Sequence, residues 1–372
     1  MATYRIYLYN LKTQAVYAEI PFSALSYKYA LDDAGTATIE IPIGVPKRDG
    51  TALTPDDIFP VRTGVAIERD TQLVWGGIVW AYRVNLEART IALSAQGYQS
   101  YYRKRHTAVA GVSYKNIEQT LMIKNLIGSF TDGIGTDTSQ LTVTNMVRTR
   151  VWNPYEFTSL SDVFVDLADD ITFLDQLLGV NVGGFFFYFR PYWVTQGTKI
   201  GNRITNTASR VPADSGVSLQ QGVNCEFSDV SVDGTGLATS AFAVGATDGT
   251  RSLTPYASDT NPALLAQIPH VNVVLNETGQ KFSTALQYKV RSALAFAARP
   301  VILPNAETYP GMFSPLALQP GTAAGVTTDD GFLDLVNEDY TITETAVSVA
   351  ADGSDRLSLT LVQTNLFLSS EG

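Results

Sequence analysis

The stretch from Gly64 to Gln96, GVAIERDTQLVWGGIVWAYRVNLEARTIALSAQ, sets three alternating apolar runs in series and constrains the fold more than any other segment. Val65 and Ile67, then Leu73, Trp75, Ile78, Trp80, Tyr82 and Val84, then Ile91, Leu93 and Ala95 place apolar side chains at every second position, the period of a sheet with a buried face. Arg69-Asp70-Thr71 and Asn85 to Arg89 sit where hairpin turns belong. Gly76-Gly77 falls where the alternation changes phase and predicts a β-bulge or sharp bend there. That phase change sends Trp75 and Trp80 to opposite faces, one to a core and the other to an interface. The segment is therefore a bent antiparallel meander forming one wall of a barrel or sandwich.

Upstream, residues 3–9 and 15–20 predict a hairpin, followed by strands at 26–31 and 36–41 around Asp-Asp-Ala-Gly. Pro42 to Pro60 holds four prolines and is expected as a surface connection. Downstream, GYQSYYRKRHT interleaves tyrosines with Arg103, Lys104 and Arg105, a pattern that serves single-stranded nucleic acid in some proteins and a solvated turn in more. Helices are expected over about 116–129 and over 158–178, the second capped by Thr158 or Ser159 and stopped by Gly179. Asp166, Asp169 and Asp170 lie on the polar side of the latter and read as a solvated acidic face, not a catalytic carboxylate pair. GGFFFYFRPYWV at 183–194 reads as a buried aromatic strand, with a sugar-binding groove as the alternative. Residues 195–222 suggest strands with long polar turns at a domain boundary. VNCEFSDVSVDGTGLATSAFAVGATDG predicts a hairpin around Asp-Gly-Thr-Gly, residues 281–298 a helix packed on a sheet or a neighbouring subunit, and YTITETAVSVAADGSDRLSLTLVQ a closing hairpin.

Composition excludes several chemistries. One cysteine, Cys225, allows no intrachain disulfide and no multi-cysteine metal site, and two histidines, His106 and His270, leave little for triads or zinc. Gly128, Gly133 and Gly135 lack the following Lys-Ser/Thr of a phosphate-cradling loop. No catalytic, cofactor-binding or metal-binding residues are assigned, and no cofactor is expected. The N-terminus alternates instead of showing a charged-then-apolar leader, and no apolar run is long enough to cross a bilayer, so membrane insertion by this chain is not expected. A formal net charge of −10 disfavours a protein that grips duplex DNA through its phosphates.

The order and spacing of LDDAGTATIEIP, QLVWGGIVWAYRV…TIALSAQGYQSYYRKR, CEFSDVSVDGTGLATSAFAVGATDGT, NPALLA…STALQYKVRSALAFAARPV and YTITETAVSVAADGSDRLSLTL resemble the baseplate-hub or tail-tip hub family of long-tailed bacteriophages, the minor tail proteins. LQPGTAAGVTTDDGF departs from the family, which often carries a Pro-Gly-Asp turn there. The resemblance implies a mainly β fold with a few helices (α+β): two tube-type β-barrel or sandwich domains plus an inserted domain. The implied division is 1–98, tube-type domain I; 99–215, inserted mixed domain; 216–310, second tube-type domain with a packed helix; and 311–372, a small C-terminal β domain. It further implies a non-enzymatic virion protein, made in the bacterial host cytoplasm. Three chains would form a pseudo-sixfold ring that joins a sixfold tail to a threefold tip. The ring would contact the distal tail protein and other tail-tip proteins, and would line the channel for the tape-measure protein and for DNA that passes without specific binding. A channel for a sliding polyanion should repel it, so acids are expected on channel-facing loops at Asp32-Asp33, Asp56-Asp57 and Asp329-Asp330. The alternative function is a tail protein that binds host-surface carbohydrate or a receptor, and an enzyme, such as a glycosidase or peptidoglycan hydrolase, is the third class weighed.

Overall fold

The computed structural model describes residues 2–129, 132–169, 184–245, 256–277, 283–328, 332, 335–350 and 352–364. The chain is mainly β with a few helices, as the resemblance implies. The N-terminal strands are β1 Tyr4–Asn10, β2 Val16–Ile20, β3 Ala24–Ala30, β4 Asp33–Pro42, β5 Thr63–Arg69, β6 Gln72–Asn85 and β7 Thr90–Gly97. They lie in the order β3-β4-β7-β6-β5-β1-β2, so the 64–96 meander is real and sits at the centre of this half.

The bulges flank the Gly76-Gly77 pair instead of coinciding with it. Ile67 faces Trp75 while Glu68 faces Leu73, which leaves Val74 unpaired; Val79 faces Ala95 while Ala81 faces Ser94, which leaves Trp80 unpaired. An extra residue shifts the phase of a strand, so Val74 and Trp75, adjacent in sequence, both enter the same core. The two glycines serve close approach. A Cβ on Gly76 would collide with the Tyr98 hydroxyl and with Pro191, and one on Gly77 with the Gln96 carbonyl oxygen. Trp75 and Trp80 do face opposite ways, but both pack inside the chain: Trp75 in the first core, with Nε1 donating to the Lys28 carbonyl at 3.2 Å, and Trp80 against a second core, with Nε1 2.8 Å from Ser100 Oγ.

Both faces of this sheet are therefore covered. The inner face holds Ile6, Leu8, Ile39, Ile67, Val79 and Leu93. On the outer face lie helices α1 Gln99–Tyr102, α2 Gln119–Gly128 and α3 Leu160–Asp169, the strand pair β8 Val112–Glu118 with β9 Val147–Trp152, and the hairpin β10 Phe187–Thr195 with β11 Lys199–Asn206. Their second core joins Tyr9, Ala66 and Ile78 of the sheet to Ile123, Leu126, Phe164, Leu167 and Phe187. Helix α2 begins at Gln119, three residues later than the pattern suggests, because Asn116 to Glu118 complete β8 and Glu118 becomes the cap. Helix α3 starts where expected, with Ser159 Oγ accepting the Asp162 amide at 3.1 Å; the expected continuation through Ile171, Leu174 and Leu178 to Gly179 lies outside the described residues.

The C-terminal strands β12 Ala213–Gln220, β13 Cys225–Asp233, β17 Val301–Thr308, β18 Thr322–Thr328, β19 Leu335–Val349 and β20 Asp355–Gln363 build a second array. The closing hairpin β19–β20 is as expected, and β19 also pairs with β3 through Val349↔Leu25 to Glu344↔Ala30. Among the described residues one continuous 13-stranded sheet thus crosses both halves, and the first core runs through the junction to Tyr340, Val347, Leu357 and Leu361. The hairpin expected around Asp-Gly-Thr-Gly does not form. Strand β13 pairs with β17, whereas β14 Ser240–Gly245 pairs with β15 Tyr256–Thr260 and β16 Asn272–Glu277 in a separate small sheet. With α4 Pro262–Leu265 and α5 Ser283–Phe296 these strands make a compact α/β unit. Helix α5 packs on its own sheet through Leu286, Val290 and Leu294, which recur every four residues, against Ala241, Ala243 and Ala257.

Where the two halves meet, an ionic network fixes the junction. Asp355, fully buried at the start of β20, accepts from Arg69 Nε at 2.6 Å and from the Tyr4 hydroxyl at 2.6 Å on the same oxygen, Oδ2. Burial and the adjacent carboxylate push the Tyr4 phenol well above its ordinary value.

Candidate functional site

The acids expected to line a channel are largely engaged within the chain. Asp32, in the β3–β4 turn, pairs with Arg210 Nη2 at 2.8 Å; Asp33 pairs with Arg103; Asp57 pairs with Lys47 at 3.0 Å and accepts the Thr54 amide. Burial raises the Asp32 carboxyl while Arg210 opposes it. Asp56 is exposed, and Asp329-Asp330 lie outside the described residues. Paired acids project far less field than free ones, so these turns act as ties between elements more than as a repulsive lining. Asp166 pairs with Arg150 at 3.5 Å, and the side chains of Asp169 and Asp170 lie outside the described residues.

The basic-aromatic cluster presents no stacking platform. Tyr98 and Tyr102 are buried in the second core, with the Tyr98 hydroxyl 2.7 Å from that of Tyr9 and the Tyr102 hydroxyl donating to Thr136 at 2.7 Å. Arg105 lies over the Tyr101 ring and reaches Asp132 at 3.1 Å. Tyr98 and Tyr102 anchor the outer layer to the sheet, while Tyr101, covered by Arg105, stays half-buried beside the exposed Arg103 and Lys104.

Cys225 is buried, and burial pushes its thiol up to about 11, which leaves little thiolate at neutral pH. One nucleophile–base contact escapes sequence inspection: Ser240 Oγ lies 2.8 Å from His270 Nε2. The two residues are thirty positions apart and meet because β14 and β16 run parallel, in a register that pairs Ser240 with Asn272. Ser240 is buried and also bonds Thr260 Oγ1 at 3.1 Å, and no carboxylate orients the imidazole among the described residues. The contact closes the end of the small sheet and lacks the third member of a triad. Among the described residues no group of three or more potential metal ligands comes together, and no helix is long and apolar enough to cross a membrane.

Among the described residues a cavity of about 390 Å³ lies between the β10–β11 hairpin and the β3–β4 and β6 wall. Residues 183–194 explain it. Phe187, Phe189 and Trp193 alternate toward the second core, as expected for a buried aromatic strand, so Tyr188, Arg190 and Tyr192 take the opposite face and line the cavity with Tyr29, Arg203 and Gln319. Gly201 permits the arrangement, because the Tyr192 ring occupies the space a Cβ would need.

No family model matches the sequence, and no curated protein does. The fold, by contrast, matches solved structures end to end. The 43 kDa tail protein of prophage MuSo2 from Shewanella oneidensis superposes with a TM-score of 0.63 at 12% identity, covering 98% of this chain and 99% of that one. A tail protein from Neisseria meningitidis MC58 gives 0.60 at 12% identity over 98% of each chain. Prophage tail protein gp18 from Listeria monocytogenes EGD-e gives 0.53 at 8% identity over 96% of this chain and 94% of that one. The chain therefore has the fold of these tail proteins, in agreement with the resemblance carried by its motifs.

Proposed function

We propose that this chain is a structural component of a phage-type tail, acting as a trimeric hub at its distal tip or baseplate. The observation that carries the proposal is the likeness to the MuSo2 prophage tail protein, which spans 98% of this chain and 99% of its counterpart and so leaves neither β half unaccounted for. A hub needs two sheet-rich halves held rigidly to each other. The continuous sheet through β3 and β19, locked by Arg69, Tyr4 and Asp355, supplies that rigidity.

In this proposal residues 1–98 and 216–310 are the paired tube-type units, 99–215 the insertion and 311–372 the closing β unit. Three copies form a pseudo-sixfold ring that meets the distal tail protein and other tail-tip proteins and lets the tape-measure protein and DNA pass. The protein resides in the virion after synthesis in the host cytoplasm and carries no catalytic activity. Sedimentation equilibrium of the purified chain, followed by electron microscopy of intact particles, tests it. A mass near three times 40.3 kDa and a threefold ring at the end of the tail tube are expected. A chain that stays monomeric with its tail partners present, or that lies along the tube or on a lateral fibre, refutes the hub assignment.

A further inference from the structure

In the β10–β11 hairpin Arg190 and Arg203 are direct cross-strand partners, and both line the cavity. Like charges directly opposite each other weaken a strand pair, and guanidinium groups do not escape by losing a proton. Neither arginine has a carboxylate partner among the described residues. Arg190 donates to Gln319 Oε1 and lies over Tyr188, 5.0 Å from the ring centroid; Arg203 lies over Tyr192 at 5.2 Å. Arg203 Nε is buried without a hydrogen-bond partner. The other charges at the wall are already neutralised, Lys28 by Glu344 at 2.8 Å and Asp33 by Arg103. Asp137 forms an isolated bridge with Arg203 but no ion pair, so in a chain of net charge −10 the cavity sets two guanidinium groups side by side with no ion-pair partner among the described residues and leaves Arg203 Nε unused.

We propose that the cavity binds a small organic oxyanion, a phosphate or carboxylate whose oxygens bridge Arg190 and Arg203 while its body rests against Tyr29, Tyr188 and Tyr192. Forked guanidinium groups match such oxygens in pairs, and charge-assisted bonds of this kind are the strong ones. The volume suits one compact ligand: about 390 Å³ lies within the usual range for small-molecule sites. The anion would relieve the arginine–arginine repulsion and satisfy Arg203 Nε. This site is independent of the hub assignment, since its geometry lies within one chain.

Calorimetric titration of the full chain at low ionic strength tests the proposal, with glucose 1-phosphate, gluconate and neutral glucose as probes. Saturable binding of glucose 1-phosphate or gluconate, and none of glucose, is expected, the tighter of the two anions identifying the head group. Arg190→Gln and Arg203→Gln are each expected to weaken that binding at least about tenfold. A second readout separates binding from folding. Without ligand, Arg203→Gln loses the stacking on Tyr192 along with the repulsion, so each variant is compared with its own ligand-free melting temperature, and a given anion concentration should raise that temperature more in the wild type than in either variant. No saturable heat up to roughly 10 mM, equal affinity for glucose, or anion effects of the same size in wild type and variants would overturn the proposal.

Discussion

Replacing Arg69 by Met tests whether the two β halves are locked through a buried charge. In the wild type the Arg69 side chain is 14% exposed and that of Asp355 1%, so both charges sit largely out of water. Asp355 Oδ2 receives Arg69 Nε and the Tyr4 hydroxyl, each at 2.6 Å, and Oδ1 has no hydrogen-bond partner. Arg69→Met keeps most of the apolar stem and removes the counter-charge, leaving a carboxylate held by a single phenol. Breaking a buried pair in this way costs about 3–5 kcal/mol, against about 0–1 kcal/mol for an exposed pair. At roughly 2–4 °C per kcal/mol for a body of this size, the melting temperature should fall on the order of 10 °C. Differential scanning calorimetry on the wild type, Arg69→Met, Asp355→Leu and the double variant completes a thermodynamic cycle. The double variant should recover most of the loss, since removing both charges leaves neither unpaired. A drop of under about 1 kcal/mol in Arg69→Met, with additive losses in the double variant, would show that water reaches the junction and that the network does not lock it.

Glu118 caps α2 by accepting the Leu121 amide at 2.9 Å, and its other oxygen accepts the Thr144 amide at 3.0 Å. Burial works to raise its carboxyl, but these bonds and those from the Thr120 and Thr144 hydroxyls outweigh burial and hold it below the ordinary glutamate value. A depressed carboxyl stabilises the fold above the unfolded value of about 4.3 and loses that contribution as pH falls through the folded value, so Glu118→Gln should cost about 1 kcal/mol near neutrality and progressively less as pH falls through the folded value, by thermal melting. Gly77→Ala should cost about 1–3 kcal/mol because its Cβ meets the Gln96 carbonyl oxygen, whereas Gly128→Ala at the end of α2 has open space and should gain up to about 1 kcal/mol; urea unfolding compares the two. A thiol reagent should leave Cys225 unmodified in the native chain and titrate one thiol per chain in denaturant, and rapid native labelling would contradict the burial of β13's first residue.

Local chemistry was readable in the sequence where it is short-range. The 64–96 meander, the closing hairpin at 340–363, the α3 cap at Ser159 and the buried face of 187–193 all follow from period and turn residues. What escaped is pairing between distant strands. Strand β13 alternates as a hairpin arm would, and nothing in Cys225 to Asp233 says that its partner is Val301–Thr308 and not the strand beyond the next turn. The Gly76-Gly77 pair misled for a related reason: glycine marks both bulges and close approaches, and only the neighbours Tyr98, Pro191 and Gln96 distinguish them. The cavity was half legible. The alternation of 183–194 predicted a buried face, but the other face acquires meaning only once β11 places Arg203 opposite Arg190.

The pairing of β3 with β19 also dictates when the chain can finish folding. Tyr29 must wait for Thr345, more than three hundred residues later, before its strand gains its second neighbour. During synthesis the early half therefore carries an open strand edge through most of translation, the condition under which nascent chains mispair or cluster. Closure over such a separation is slow, because the entropy of a long loop is lost before the contacts form. A ribosome stall or premature stop before residue 335 would leave β3 with β4 as its one partner, so truncated chains should gather in the insoluble fraction while the full-length chain remains in solution.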